Sequence, residues 1–568
     1  MLLVRLEYEN IFDEPIELTI QEILQEISFY IVAMFVADLN QKLFMKVEQN
    51  DLIHGYLTDN ALLHRIRLSL NQKEGNVLFS RNVNYELLHQ AALYSIDDEN
   101  HDINDTVFQD AIPELIKLIL IINSQKNINQ ELNGKLDRPF KYYRENFWAS
   151  GMQEVTIQNW KNPLNSLVKG LSFLNYLEKN YQDELKYYLE NYGFKDKWGL
   201  IQCILQPAYT WFHNDVKIFY SSEFSTNCFL DDLSLDLKEY RKKYTKGGLY
   251  YQGFRETPLY SSINNNRIVL DWNLMTDQLY NSFVFKFYKK NKRKIGLGFL
   301  DFKNKSRNEG LIENVLFPKI LINCFNPKYN VILFDNEIRS GFGNNKGVSL
   351  PDAYVRVNKK IFLFEIKDSF FSSKAIDSGN YEDIKDEIDL KFNSINKKGT
   401  ELKGVEQIIN QMEFLKSNNS FEENFSFDTS KYELYPVIIF TDEHFGLPGI
   451  GKYLDEEFMR KLKERNLEKS FKKIQRMSFL SLDFFISNYV ELSKGKYRLD
   501  KIINKGFEKL RCKEKNIGNL RTKNPYNNLF IANQNLEDVI YELPNFESKN
   551  ISSMKILEEL GIIKSGQI

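Results

Sequence analysis

Two neighbouring segments, SLPDAYVRV (349–357) and KIFLFEIKDS (360–369), place Asp352, Glu365 and Lys367 at the ends of two candidate strands. Strand side chains alternate faces with period two, so Glu365 and Lys367 share one face and Ile366 takes the other. Pro351 lacks a backbone donor and marks a strand start, an edge or a bulge, which would re-aim Asp352 toward the next strand. The linker VNKK (357–360) is short and polar enough for a hairpin turn. Two carboxylates, the backbone carbonyl of Ile366 and several waters suit Mg²⁺, which prefers oxygen ligands, with Mn²⁺ as a substitute. Such a cation activates water and offsets charge on a phosphate. Lys367 can orient that water or stabilise the developing charge. The bland alternative makes Glu365 and Lys367 a solvated charge pair and Asp352 a turn residue.

The flanking elements strengthen the metal-binding reading. EGLIENVLFPKILINCF (309–325) reads as a helix with a broad apolar face and Glu313 in its first turns. NVILFDNEIRS (330–340) reads as a strand. ELKGVEQIINQMEFLKS (401–417) has helical spacing of Leu402, Val405, Ile408, Ile409, Met412 and Leu415, with Gln407 and Gln411 on one flank. YELYPVIIFTDE (432–443) reads as a buried strand. The order is helix, three strands, helix, strand.

This pattern over residues 305–450 resembles the PD-(D/E)xK, or restriction-endonuclease-like, nuclease superfamily, through Pro351, Asp352, Glu365 and Lys367. The resemblance implies an α/β fold with an αβββαβ core. It implies Asp352, Glu365 and the Ile366 carbonyl as metal ligands and Lys367 as the partner of the attacking water. It also implies a glutamate on the first core helix, matched best by Glu313 with Glu309 nearby, and a polar residue on the second, pointing to Gln407 ahead of Gln411. The expected activity is hydrolysis of phosphodiester bonds, with DNA as the nucleic acid and restriction or phage defence as the setting. An RNA or branched-DNA nuclease, or a non-catalytic nucleic-acid-binding or scaffolding protein, are the alternatives. Between Lys367 and the second helix the chain departs from a compact core, and NYEDIKDEIDLKF (380–392) is expected to form an extra helix, either a lid or a surface insertion.

The rest of the chain sets bounds. Its 568 residues carry 75 Lys+Arg against 77 Asp+Glu, so a nucleic-acid partner would need local basic patches. One such patch is FKFYKKNKRKIGLGFLDFKNKSR (285–307), where Lys289, Lys290, Lys292, Arg293 and Lys294 can contact a phosphate backbone and the aromatic rings can stack on unpaired bases. The alternative is a solvated interdomain hairpin. The four cysteines are far apart, without zinc-site spacing, and suit a reducing cytoplasm. The longest apolar runs fall short of a membrane span. The expected organisation is a mostly α-helical recognition, sensor or oligomerisation domain at 1–280, a basic linker at 281–304, the nuclease domain at 305–450 and a helical C-terminal extension at 451–568. A homodimer or a defence-system partner protein is the expected protein partner.

Overall fold

The structure is a computed structural model that describes residues 4–72, 76–97, 105–128, 144–158, 160–212, 217–219, 227–245, 250–261, 266–342, 349–394, 402–417, 419–422, 428–516, 530–544, 546 and 551–564. The chain is mixed α/β and divides into two units. The first comprises 1–133, 157–170 and 177–298, the second 134–156, 171–176 and 299–568. No helix among the described residues is long and apolar enough to cross a membrane.

The first unit is mostly helical. It contains a parallel strand pair, Val4–Arg5 with Asn76–Val77, and a small antiparallel sheet in which Asn266–Val269 lies between Lys217–Phe219 and Leu259–Ser261. Helix α1 (Gln182–Asn191) packs against α2 (Asn281–Ile295) through Tyr188, whose ring meets Phe283 at 5.5 Å and Phe287 at 5.7 Å. The segment expected as a basic linker is therefore mostly helix α2. Phe283, Val284, Phe287, Tyr288 and Asn291 recur at helical spacing and are buried. Gly296, at φ +66°, ends the helix in the left-handed conformation that favours glycine.

The unit boundary is not a single cut at residue 280. Trp148 is fully buried in the second unit, against Tyr381 and Tyr453 at 5.8 Å each, and its indole N–H donates to the Pro448 carbonyl at 3.1 Å.

The second unit is built on a mixed six-stranded sheet. Its strands are β1 (Val331–Phe334), β2 (Ala353–Val357), β3 (Lys360–Lys367), β4 (Glu433–Phe440), β5 (Lys473–Ile474) and β6 (Ser478–Ser481). The order is β5–β4–β3–β2–β1, and β6 also pairs with β4. β2 is antiparallel to both of its neighbours, β1 and β3, while β3, β5 and β6 run parallel to β4. The tail after 450, expected to be a helical extension, thus adds two strands. SFLS joins the sheet because Phe479 and Leu480 bury against its end, where Phe479 stacks on Phe440 at 4.5 Å.

Five helices of this unit matter for the site. α3 (Asn304–Leu316) has the wide turns of a π-helix and runs directly into α4 (Phe317–Phe325). α5 (Asp335–Phe342) follows β1 without a break, so the segment expected as one strand turns into a helix at Asp335. α6 (Tyr381–Phe392) lies in the insertion, and α7 (Val405–Lys416) precedes β4. Phe362 and Phe364 on one face of β3 meet Phe325 at 4.9 and 6.0 Å, so α4 covers that face. α7 covers the other.

Candidate active site

β3 is a run of apolar residues that ends in Glu365 and Lys367, and its burial is what makes those charges unusual. Glu365 is fully buried. Its Oε2 accepts from the Lys367 ammonium at 3.0 Å, which places both side chains on one face of the strand. Its Oε1 accepts from the Gln411 carboxamide at 2.5 Å.

Asp352 immediately precedes β2 and reaches across to β3, where its Oδ2 accepts the backbone N–H of Ile366 at 2.7 Å. The last residue pair of the β2–β3 ladder at this end is Ala353–Phe364, so the Ile366 amide is available to a side chain. In an extended strand the N–H and C=O of one residue point to the same edge. The Ile366 carbonyl therefore lies on the edge that Asp352 occupies. The approach to Asp352 is held from α7, where Asn410 accepts the Ser349 N–H at 2.9 Å.

The electrostatics describe crowded negative charge. Burial, then the charge of Asp352, pushes Glu365 upward, although Lys367 and Gln411 pull it down. Asp352 is raised by burial and by Asp335, against Lys367 and the Ile366 N–H. Glu313, on α3, is pushed up to about 7 by burial and by Asp352. Lys367 is held above its usual range, since Glu365 and Asp352 outweigh the effect of burial. Three carboxylates thus share one ammonium.

These residues fit a hard divalent cation as a partial set. Asp352, Glu365 and the Ile366 carbonyl offer oxygens on one strand edge, and Mg²⁺ keeps waters in its remaining positions. No group of three or more His, Cys, Asp or Glu side chains among the described residues is arranged as a cage. Oε1 of Gln411 is also buried without a hydrogen-bond partner among the described residues, next to Glu365.

The structure separates the two glutamines. Gln407 lies in the first turn of α7, where its side chain accepts the Gly404 N–H at 2.8 Å, so it closes the helix end. Gln411, one turn on, is the residue on Glu365. Glu313 is electrostatically linked to Asp352 and Lys367, and Glu309 contributes only to its field. Lys289, Lys290, Lys292, Arg293 and Lys294 lie on α2 in the first unit, all exposed.

Two clusters were missed by sequence reasoning. Asp335 donates its backbone N–H to the Asp352 carbonyl at 3.2 Å, and its carboxylate holds Arg339 at 2.6 Å. Next to Lys367, Asp368 is fully buried with Arg307 of α3 at 2.8 Å. The Thr441 hydroxyl donates to the same carboxylate, and Lys303 donates to the Asp368 carbonyl at 2.6 Å. The only sequence signal was a position, Asp368 beside the candidate lysine.

Comparison of the chain with protein-family models, with curated proteins and with solved structures returns no significant match.

Proposed function

We propose that this chain is a metal-dependent nuclease of the PD-(D/E)xK kind that hydrolyses phosphodiester bonds, with DNA as its substrate. The observation that supports this most directly is the meeting of fully buried Glu365 with part-buried Asp352 and Lys367 at the ends of adjacent antiparallel strands. A buried carboxylate pair is unfavourable without compensation, and one ammonium does not neutralise two carboxylates with Glu313 nearby. With α5 between β1 and β2 and the helices of the insertion set aside, the remaining order α3–α4, β1, β2, β3, α7, β4 supports the superfamily resemblance.

Asp352, Glu365 and the Ile366 carbonyl would hold Mg²⁺ or Mn²⁺. Bound there, the cation supplies Lewis-acid stabilisation of charge on the phosphate and favours deprotonation of water. The chain's own groups do the rest. Lys367, fixed by Glu365, presents an ammonium to the attacking water and to the developing negative charge. Gln411 fixes the rotamer of Glu365. The Ile366 N–H fixes Asp352. Glu313, with its proton loosely held near neutral pH, accepts or returns a proton at the edge of the site. A setting in restriction or phage defence follows only by analogy with other large stand-alone nucleases of this kind.

The test is cleavage of supercoiled plasmid by wild type, Asp352→Ala and Lys367→Ala with Mg²⁺, Mn²⁺ or EDTA, with matched single-stranded, branched and RNA substrates. Metal-dependent nicking or linearisation that disappears in both folded variants is the expected result. Cleavage of RNA or junctions alone would move the substrate. Tight binding of nucleic acid without turnover on any substrate would replace the catalytic reading with a binding protein.

A further inference from the structure

Helix α2 is left unused by the proposed chemistry, and its exposed cations have no carboxylate partner in an ion pair among the described residues. It carries Lys286, Lys289, Lys290, Lys292, Arg293 and Lys294 and no acidic residue. All but Lys286 are exposed. Lys289, Lys292 and Arg293 form no ion pair among the described residues. Other cations of this unit are neutralised, such as Lys197 by Glu178 at 2.6 Å and Arg241 by Asp97 at 2.7 Å. A chain of net charge −2 has therefore gathered a positive face on one helix, with Lys289, Lys292 and Arg293 outside any ion pair among the described residues. The helix dipole accounts for cations in the last turn, where Lys292, Arg293 and Lys294 sit, but not for Lys289 and Lys290 above them.

Aromatic rings border this face. Phe285 is 44% exposed and precedes Lys289 by four residues and Lys292 by seven, so all three share one outward stripe. On the other flank, the Lys294 ammonium lies 3.7 Å from the ring centre of Tyr187 on α1, and that tyrosine is 39% exposed. Lys290 sits 4.9 Å from the ring centre of Tyr192. A duplex hides the faces of its bases and uses only the cations of such a surface. A single strand uses both, with phosphates on the cations and bases on the exposed rings.

We infer that the α1–α2 face of the first unit is a binding site for single-stranded nucleic acid, with Lys289, Lys292 and Arg293 on phosphates and Phe285 and Tyr187 as stacking platforms. The inference goes beyond the nuclease reading and stands without it, because it concerns binding by a surface that contains none of the proposed metal ligands.

The experiment is fluorescence anisotropy of the full-length protein in EDTA with a labelled oligo-dT strand and a length-matched duplex, at two salt concentrations. The expected result is tighter binding of the strand. Phe285→Ala and Tyr187→Ala should each weaken strand binding about fivefold or more while sparing the duplex. Lys289→Glu with Arg293→Glu should weaken both and flatten the salt dependence. Thermal melting checks that the variants are folded. No binding of the strand, equal binding of strand and duplex, or indifference to the ring and charge substitutions would overturn the site. Failure to cleave any of the plasmid, single-stranded, branched and RNA substrates overturns the nuclease reading alone.

Discussion

Gln411 donates a 2.5 Å hydrogen bond to Oε1 of the fully buried Glu365, from a helix 46 residues further along the chain. Lys367 holds the other oxygen, so the carboxylate is fixed from two sides. Partners of a ligand side chain are worth about 10- to 100-fold in metal affinity or activity. Gln411→Leu should therefore raise the Mg²⁺ concentration needed for cleavage by about that factor. Gln407→Ala should lose only the bond to the Gly404 N–H, lowering stability by about 1 kcal/mol and leaving the Mg²⁺ requirement unchanged. Mg²⁺ titrations of cleavage beside thermal melts separate the two, and a larger shift for Gln407→Ala would reverse their assigned roles.

The ion pair of Arg307 with Asp368 ties α3, which bears Glu313, to the end of β3, which bears Lys367. Their side chains are 2% and 1% exposed, and Thr441 and Lys303 add donors to Asp368. Removing one partner leaves a buried charge uncompensated, which destabilises by about 3–5 kcal/mol. Arg307→Met and Asp368→Asn should each lower the urea midpoint strongly. The double variant should lose clearly less than the sum of the two. Additive losses would mean that the two groups do not depend on each other.

How much of this was legible in the sequence depends on distance along the chain. Glu365 and Lys367 lie in one strand, and the period-two rule alone puts them on one face. Asp352 needed only a short hairpin. The choice between Gln407 and Gln411 required the helix start. The signal was Gly404 three residues before Gln407, which lets the Gln407 side chain accept the Gly404 N–H at the helix start, with Gly404 at φ +47° where its added Cβ would strike the Phe392 carbonyl. The joining of SFLS to β4 and the meeting of Arg307, Asp368 and Thr441 bring together segments tens of residues apart, and no local pattern records such encounters. The π-type turns of α3 were equally hidden, although Gly310 marks the place where Tyr176 presses against that helix.

A divalent cation should stabilise the fold as well as support cleavage. Asp352 and Glu365 are both raised toward the protonated form by burial. A ligand that binds the folded state alone stabilises it by about 2.7 kcal/mol at a hundred times its Kd. Mg²⁺ should therefore raise the melting temperature of wild type. Asp352→Asn can still accept the Ile366 N–H but has lost its charge, so it should melt at or above the metal-free wild type and show little response to Mg²⁺. The same Mg²⁺ shift in both proteins would place the cation elsewhere. Differential scanning fluorimetry with EDTA as the reference reads both effects.

Lys286 gives the first unit its own pH dependence. It lies on α2 between outward Phe285 and buried Phe287, and its Nζ is buried with no hydrogen-bond partner among the described residues. Burial pulls this ammonium down from 10.5 to about 7, against the attraction of Asp232 and Glu256. Below about 7 both the folded and unfolded chains hold the proton, and this group adds no slope. Between about 7 and 10.5 the unfolded chain binds the additional proton, so unfolding becomes less favourable as pH rises, by up to about 1.4 kcal/mol per pH unit. Lys286→Met removes that titration and the burden of burying an ammonium at neutral pH. The variant should therefore be more stable than wild type at pH 7, and the difference should shrink as pH approaches 10. Urea unfolding of both proteins from pH 6 to 10 measures the difference directly, and parallel curves would mean that the Lys286 ammonium stays solvated in the folded chain.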